Sequence, residues 1–372
     1  MAVRKPGSAL PKRVGQLLII GFDGTAVTPR LRALLQHVQP AGVILFARNI
    51  VDAQQTHQLL KDCRAAVKRP LFTCVDMEGG EVDRLRGVFG PTPSAADVFA
   101  SGDHRLFKKH GKLIGKGCRM IGFNLDLAPV VDLALPASRK VMSTRAVSAD
   151  PEQAVLYAKE FLAGLRSEGV MGTLKHFPGL GEGNLDTHHE LPQVDKSWRR
   201  LWDEDLVPYR RLCRQAPLVL IGHASYPAVT RNMVPASLSH RWISDILRKQ
   251  IRYRGLVMSD DLEMGAVLEA MPIEKAAVAH LRAGGDLCLI CHREEHVVCA
   301  FDALQQAAAG DADFAKRAGK AAKRVLTFKK QCAGLTRRLL VPSPVKVQIF
   351  SRQLWEFSEQ VRLETIRRQA EA

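Results

Sequence analysis

Three segments of the chain carry residue types whose spacing could do chemistry. Residues 175–192 read KHFPGLGEGNLDTHHELP, in which Asp186 and His188 lie two apart and can meet if the loop turns between them. A carboxylate beside an imidazole fixes one tautomer and stabilises the protonated ring, which is what a general acid/base requires. A loop histidine bonded to solvent or backbone is the plainer alternative. Residues 257–264, VMSDDLEM, put two carboxylates at the end of an apolar run. A carboxylate emerging there is costly to leave unpaired, so it is salt-bridged or functional. Asp260 could be a covalent nucleophile kept ionised by a cation such as Lys175. Aspartate at a strand end also caps the following helix, and one of Asp260 and Asp261 is expected to do that. Residues 75–86, VDMEGGEVDRLR, start at another strand end. There Asp76 can accept two hydrogen bonds from sugar hydroxyls, Gly79 and Gly80 let backbone approach a ligand, and Arg84 could be a partner. Alone, this segment does not separate a sugar from a phosphate or a structural ion pair.

These segments need elements to hold them. Apolar runs of strand length occupy 16–22, 42–47, 71–76, 123–132, 172–177, 218–224, 255–261 and 286–290. They do not alternate with polar residues, as befits strands buried on both faces of a parallel sheet. Stretches of helical periodicity separate most of them, which predicts a (β/α)8 TIM-type barrel, with a doubly wound open sheet as the alternative. Polar residues favour the barrel: Asp23, Arg48, Asp76, Asp132, Lys175, His176, His223, Asp260 and Asp261 all fall at the carboxyl ends of the runs. A barrel gathers those ends on one face, whereas an open sheet spreads them along a line. The expected organisation is a basic N-terminal arm (1–13), a single barrel domain (14–333) and a helical C-terminal extension (334–372). Long Gly- and Pro-rich connections at 77–103 and 178–195 lie on the functional face. In the tail, AKRAGKAAKRVLTFKK reads as a last barrel helix, LVPSPV as a breaker, and IFSRQLWEFSEQVRLETIRRQAEA as a further amphipathic helix.

Composition bounds the rest. The 372 residues are 46% hydrophobic and 25% charged, which excludes a disordered or collagen-like chain. Lys and Arg number 54 against 38 Asp and Glu, and the resulting +16 raises a nucleic-acid partner. Against it stand a 6% aromatic content, the lack of any recognised nucleic-acid module, and a basic stretch at 316–338 that reads as a solvated helix face. No apolar run approaches the roughly 18 residues of a membrane span, so no membrane partner is expected. The start MAVRKPGSALPKR has no apolar segment behind it, and a cytoplasmic address is the expectation. Eight scattered cysteines read as buried thiols in a reducing compartment. Cys288-Leu-Ile-Cys291-His292 matches a haem-attachment pattern and, with His296 and Cys299, could be a zinc cluster; burial in the eighth strand is the preferred reading. A metal-dependent hydrolase would use His176, His188, His223, Asp260 and Asp261, but the first strand ends in Gly21-Phe22-Asp23 and offers no His-x-His pair.

The Lys-His-Phe-Pro-Gly-x-Gly run, with Asp186 and His188 following at fixed distance, resembles the signature of the β-N-acetylhexosaminidases of glycoside hydrolase family 3, the NagZ type of bacterial cell-wall recycling. Similar patterns follow in order: GVILFARNI, VDMEGG with RLR, FNLDLAPVVD and SDDLEM. The resemblance implies a retaining hydrolase with a covalent glycosyl intermediate on Asp260, His188 as acid/base and Asp186 as its partner. It implies sugar binding by Asp76, Arg84, Arg145, Lys175 and His176. It further implies a monomer without metal or cofactor, cleaving terminal β-GlcNAc from small muropeptides or GlcNAc-1,6-anhydro-MurNAc. Two positions depart from the family pattern: Arg145 sits in STRAVS where the family usually has Arg-Ser-Phe, and Leu180 replaces a usual His. With those roles assigned, +16 reads chiefly as surface and tail chemistry that aids encounter with anionic substrates.

Overall fold

The eight apolar runs form eight parallel strands: β1 (Leu18–Ile20), β2 (Gly42–Ile44), β3 (Phe72–Val75), β4 (Leu125–Asp126), β5 (Thr173–Phe177), β6 (Leu218–Ile221), β7 (Leu256–Asp261) and β8 (Leu287–Ile290). This computed structural model describes residues 11–182, 191–335 and 340–371. Pairing runs β4-β3-β2-β1-β8-β7-β6-β5. The two ends of that order then meet through parallel bridges at Leu125↔Met171 and Val130↔Lys175. Across this seam the N–H groups of Asp126 and Val131 donate to the carbonyls of Met171 and Lys175, each at 2.8 Å. The sheet is therefore a closed (β/α)8 TIM-type barrel and not an open doubly wound sheet. It forms a single domain with C-terminal helices.

The uniform apolarity of the strands follows from burial on both sides. Alternate residues fill the barrel interior, among them Ile19, Phe72, Cys74, Leu218, Leu220 and Met258. Their neighbours, such as Leu18, Ile20 and Val75, pack under the helices. This alternation separates Cys288 of β8 from Cys291, which directly follows the strand. Cys288 faces helix Ile273–Ala283, with its Sγ 3.7 Å from the Ala277 carbonyl, while Cys291 joins the barrel interior. Four of the returning helices start on a capping side chain that accepts a backbone N–H: Thr28 for Pro29–Val38, Asp52 for Ala53–Ala66, Asp103 for His104–Ile121 and Asp150 for Pro151–Ser167.

Two C-terminal helices complete the domain. Helix Ala312–Gln331 closes the amino-terminal end of the barrel, where Lys329 is buried, donates to Gln16 Oε1 at 2.9 Å and lies 4.9 Å from the centre of the Phe72 ring. The breaker expected at LVPSPV turns out to start a helix, since Pro344 occupies the first helical position of Pro344–Glu371, where its missing N–H has no intrahelical partner to lose. That helix buries Phe350, Leu354, Phe357 and Val361. Phe350 meets Phe89 edge-on at 4.8 Å, and Phe357 stacks on His110 at 5.9 Å.

Candidate active site

The carboxyl ends of the strands surround a cavity of about 460 Å³. Asp76 follows β3, Lys175 and His176 belong to β5, and Asp260 ends β7. Arg84 and Arg145 reach in from the loops after β3 and β4. All six line this one cavity, so the structure brings together every expected site residue that lies within the described part of the chain. Asp186 and His188 lie outside the described residues.

A buried ion cluster occupies the side of the cavity formed by β3 and β5. Lys175 Nζ is 2.8 Å from Asp76 Oδ1 and 2.6 Å from Glu78 Oε1. Arg145 grips the same Glu78 with two bonds, Nε to Oε2 at 2.7 Å and Nη2 to Oε1 at 2.9 Å. Burial alone would raise the Glu78 pKa, but Arg145 and Lys175 outweigh it and hold this carboxyl well below the ordinary carboxylate range. Burial likewise works against the Lys175 charge, and Asp76 with Glu78 raises its pKa instead. Glu78 escaped the sequence reading, although it stands two residues beyond Asp76 in the same motif. It is the carboxylate that fixes both cations and leaves Asp76 only one of them to share.

Glu78 lies on a small hairpin, Met77–Gly79 paired with Val82–Asp83, inserted after β3. Its glycines were expected to admit a ligand, but chain packing explains them. Gly79 and Gly80 have φ of +85° and +61°, and a Cβ on Gly79 would lie 2.1 Å from the Pro93 carbonyl oxygen. At the hairpin's base, Asp126 Oδ1 accepts from the Met77 N–H at 2.9 Å. Burial pushes the pKa of the Asp126 carboxyl well above its ordinary range.

His176 is oriented by Asp132, whose Oδ2 lies 2.7 Å from its Nδ1 and whose Oδ1 accepts the Leu180 N–H at 2.8 Å. Leu180 thus contributes a backbone donor to the loop and an apolar side chain to the cavity wall. The sequence marked Asp132 only as a strand-end carboxylate. Its role depends on a partner 44 residues away.

Asp260 and Asp261 differ in their bonding. Asp260 accepts only the Asp261 N–H, at 2.9 Å, among the described side-chain bonds, and faces the cavity. Burial would raise its pKa, but His176, His223, that N–H and Lys175 together lower it. An ionised carboxylate with spare acceptor capacity results, the state a nucleophile needs. Asp261 caps a turn and not a helix: its Oδ1 accepts the N–H groups of Glu263 at 3.1 Å and Cys291 at 3.3 Å. His223 is spent on structure, with Nδ1 2.7 Å from Ser237 Oγ and Nε2 2.8 Å from the Asp261 carbonyl.

Among the described residues, no three His, Cys, Asp or Glu side chains converge as metal ligands. Cys288 and Cys291 lie on opposite sides of the barrel wall, as the preferred reading of buried packing has it. His296 binds Glu263 Oε1 at 2.7 Å instead. No helix among the described residues is long and apolar enough to cross a membrane.

Residues 9–328 match the glycosyl hydrolase family 3 N-terminal domain. The chain belongs to that family. A β-hexosaminidase of Stenotrophomonas maltophilia is 38% identical over 285 residues, which is 75% of this chain and 84% of the relative, and one of Xanthomonas oryzae matches at the same identity and coverage. Among solved structures, a family 3 β-N-acetylglucosaminidase from Paenibacillus superposes with a TM-score of 0.87 at 30% identity, over 95% of this chain and 69% of that one. A β-N-acetylhexosaminidase from Beutenbergia cavernae superposes with a TM-score of 0.80 at 27% identity, over 88% of this chain and all of that one. This family 3 enzyme is a glycoside hydrolase acting on N-acetylhexosamines.

Proposed function

We propose that this family 3 hexosaminidase is a retaining β-N-acetylglucosaminidase that removes terminal non-reducing β-GlcNAc from peptidoglycan fragments, GlcNAc-1,6-anhydro-MurNAc with or without peptide. It would act as a cytoplasmic monomer in cell-wall recycling, with residues 14–333 as the glycosidase unit and 334–372 as an extension. The observation that carries this reading is Asp260, an ionised carboxylate at the end of a barrel strand, facing a cavity lined by Lys175, His176, Arg145 and Asp76.

The reaction has two displacements. Asp260 attacks the anomeric carbon as His188, protonated and assisted by Asp186, gives its proton to the leaving oxygen. The bond from C1 to that oxygen breaks and a glycosyl ester on Asp260 forms. Neutral His188 then takes a proton from water, whose oxygen attacks C1 and releases Asp260 with net retention. Lys175, Asp76, Arg145, His176 and Arg84 hold the sugar hydroxyls and acetamido group. The test is incubation with defined anhydro-muropeptides and mass analysis of the products. Free GlcNAc and the residual anhydro-MurNAc peptide are expected; intact muropeptides beside cleaved GlcNAc oligosaccharides would overturn the substrate.

A further inference from the structure

His223 follows β6, is fully buried, and takes no part in the two displacements. One of its bonds reaches the strand end that carries Asp260. The ladder between β6 and β7 stops at Ile221↔Ser259, one residue short of Asp260. On the other side, Leu287 of β8 meets Met258 but Leu289 meets Asp261, so β7 carries one residue more than β8 over that span. An extra residue bends a strand and re-aims the side chains beside it. Asp260 therefore sits where the regular ladder gives out, and the end of β7 needs another hold on its β6 side.

His223 supplies that hold. The Asp261 N–H donates to Asp260 Oδ1 at 2.9 Å, while the Asp261 carbonyl accepts the Met264 N–H at 3.1 Å and lies 2.8 Å from His223 Nε2. A carbonyl can only accept, so Nε2 carries a proton and donates, whatever the state of Nδ1. Met264 closes the turn from within its own segment; His223 ties that turn across to β6. The ring's Nδ1 lies 2.7 Å from Ser237 Oγ, a hydroxyl able to donate or accept. Ser237 is locked in turn. Its N–H donates to the Gly222 carbonyl at 3.2 Å, the Ala236 N–H donates to the Ala224 carbonyl at 2.9 Å, and its own carbonyl lies 2.7 Å from His280 Nδ1. The bonds to Gly222 and Ala224 bracket His223, so the imidazole and its hydroxyl partner are fixed as one unit. We propose that His223, with its ring set by Ser237, is a positioning residue for Asp260. By holding the Asp261 carbonyl it aims the Asp261 N–H, and that N–H fixes the attacking carboxylate. His223 does not line the cavity and acts through the Asp261 backbone. The assignment rests on the reading of Asp260 as the nucleophile, whose oxygen must be held close to its line of attack.

The test isolates the first displacement with a β-GlcNAc fluoride that bears a second fluorine on the sugar ring. Attack at C1 forms the glycosyl ester and expels fluoride, which needs no proton from His188. The ring fluorine slows hydrolysis of the ester, so mass spectrometry can locate the labelled residue and time its formation. His223→Gln and His223→Asn form a matched pair, because the Gln amide nitrogen reaches where Nε2 stood and that of Asn only where Nδ1 stood. Labelling of Asp260 should stay within about threefold of wild type in His223→Gln and become about thirtyfold slower in His223→Asn, with the Kd for free GlcNAc unchanged in both. Equal rates in the two variants, both fast or both slow, would overturn the donor role. Ser237→Ala removes a hydroxyl and little bulk, and it should slow labelling about fivefold. A wild-type rate there would remove Ser237 from the assignment, and if neither His223 variant folds, that rate would overturn the proposal as a whole. Wild-type enzyme labelled elsewhere than Asp260, or not at all, would overturn the nucleophile reading itself.

Discussion

Lys175 and Glu78 meet at 2.6 Å in the wall of the cavity, both at most 4% exposed, and the same carboxylate holds Arg145 from its other side. One anion therefore sets the position of two cations that line the cavity. Breaking a buried pair leaves an uncompensated charge, which typically costs about 3–5 kcal/mol.

Glu78→Gln should accordingly lower unfolding stability at pH 7 by an amount in that range and raise KM, since neither cation keeps its place. The folded pKa of Glu78 lies below its ordinary 4.5, so its contribution is fully present above that pH and is lost as pH falls below it. Urea unfolding across pH 3 to 7 reads both effects. An acid limb of stability equally steep in the variant would remove Glu78 from this role.

Asp260→Asn should reduce kcat/KM on the order of 10⁴-fold or more, with the circular dichroism spectrum of the wild type retained. A carboxylate nucleophile must be ionised, and the pKa of Asp260 is lowered from 3.8, so the proposed role predicts an acid limb in kcat/KM below that pH. His188→Ala should lose turnover comparably if that residue is the acid/base. Wild-type-like rates in either variant would sink the corresponding assignment.

Asp132→Asn is expected to slow turnover about a hundredfold by letting the His176 ring and the Leu180 N–H drift from their positions. Asp132 is buried and does not line the cavity, so it acts through the groups it orients. Its loss should therefore appear in kcat/KM measured well below the unfolding temperature, and an unchanged value there would show that the dyad is only structural.

Lys329 offers a prediction away from the site. Burial pushes its ammonium down to about 7 from 10.5, so the unfolded chain binds more protons between those values and stability should rise with pH across that interval. Lys329→Met removes the buried charge and should flatten the rise. Guanidinium unfolding midpoints at pH 7, 8 and 9 would reveal it, and identical slopes in both proteins would contradict the account.

Much of the barrel could be read along the chain because its signals are local. Uninterrupted apolar runs report burial on two faces, and Thr28, Asp52 and Asp150 mark helix starts by bonds to N–H groups two or three residues on. The Lys175 motif and the strand-end Asp260 were legible for the same reason. Pro344 misled because proline stops a helix from within yet starts one at its first position.

The sequence by itself determined the strand and helix order, the family resemblance, and which side chains stand at the carboxyl ends of strands. Only the tertiary structure decided which charges meet. Glu78 finds Arg145 67 residues away, Asp132 finds His176 44 residues away, and Phe46 finds His292 only when β2 and β8 take their places on either side of β1. Spacing along the chain carries no record of such pairs, because closure of the barrel sets their distance and burial sets their strength.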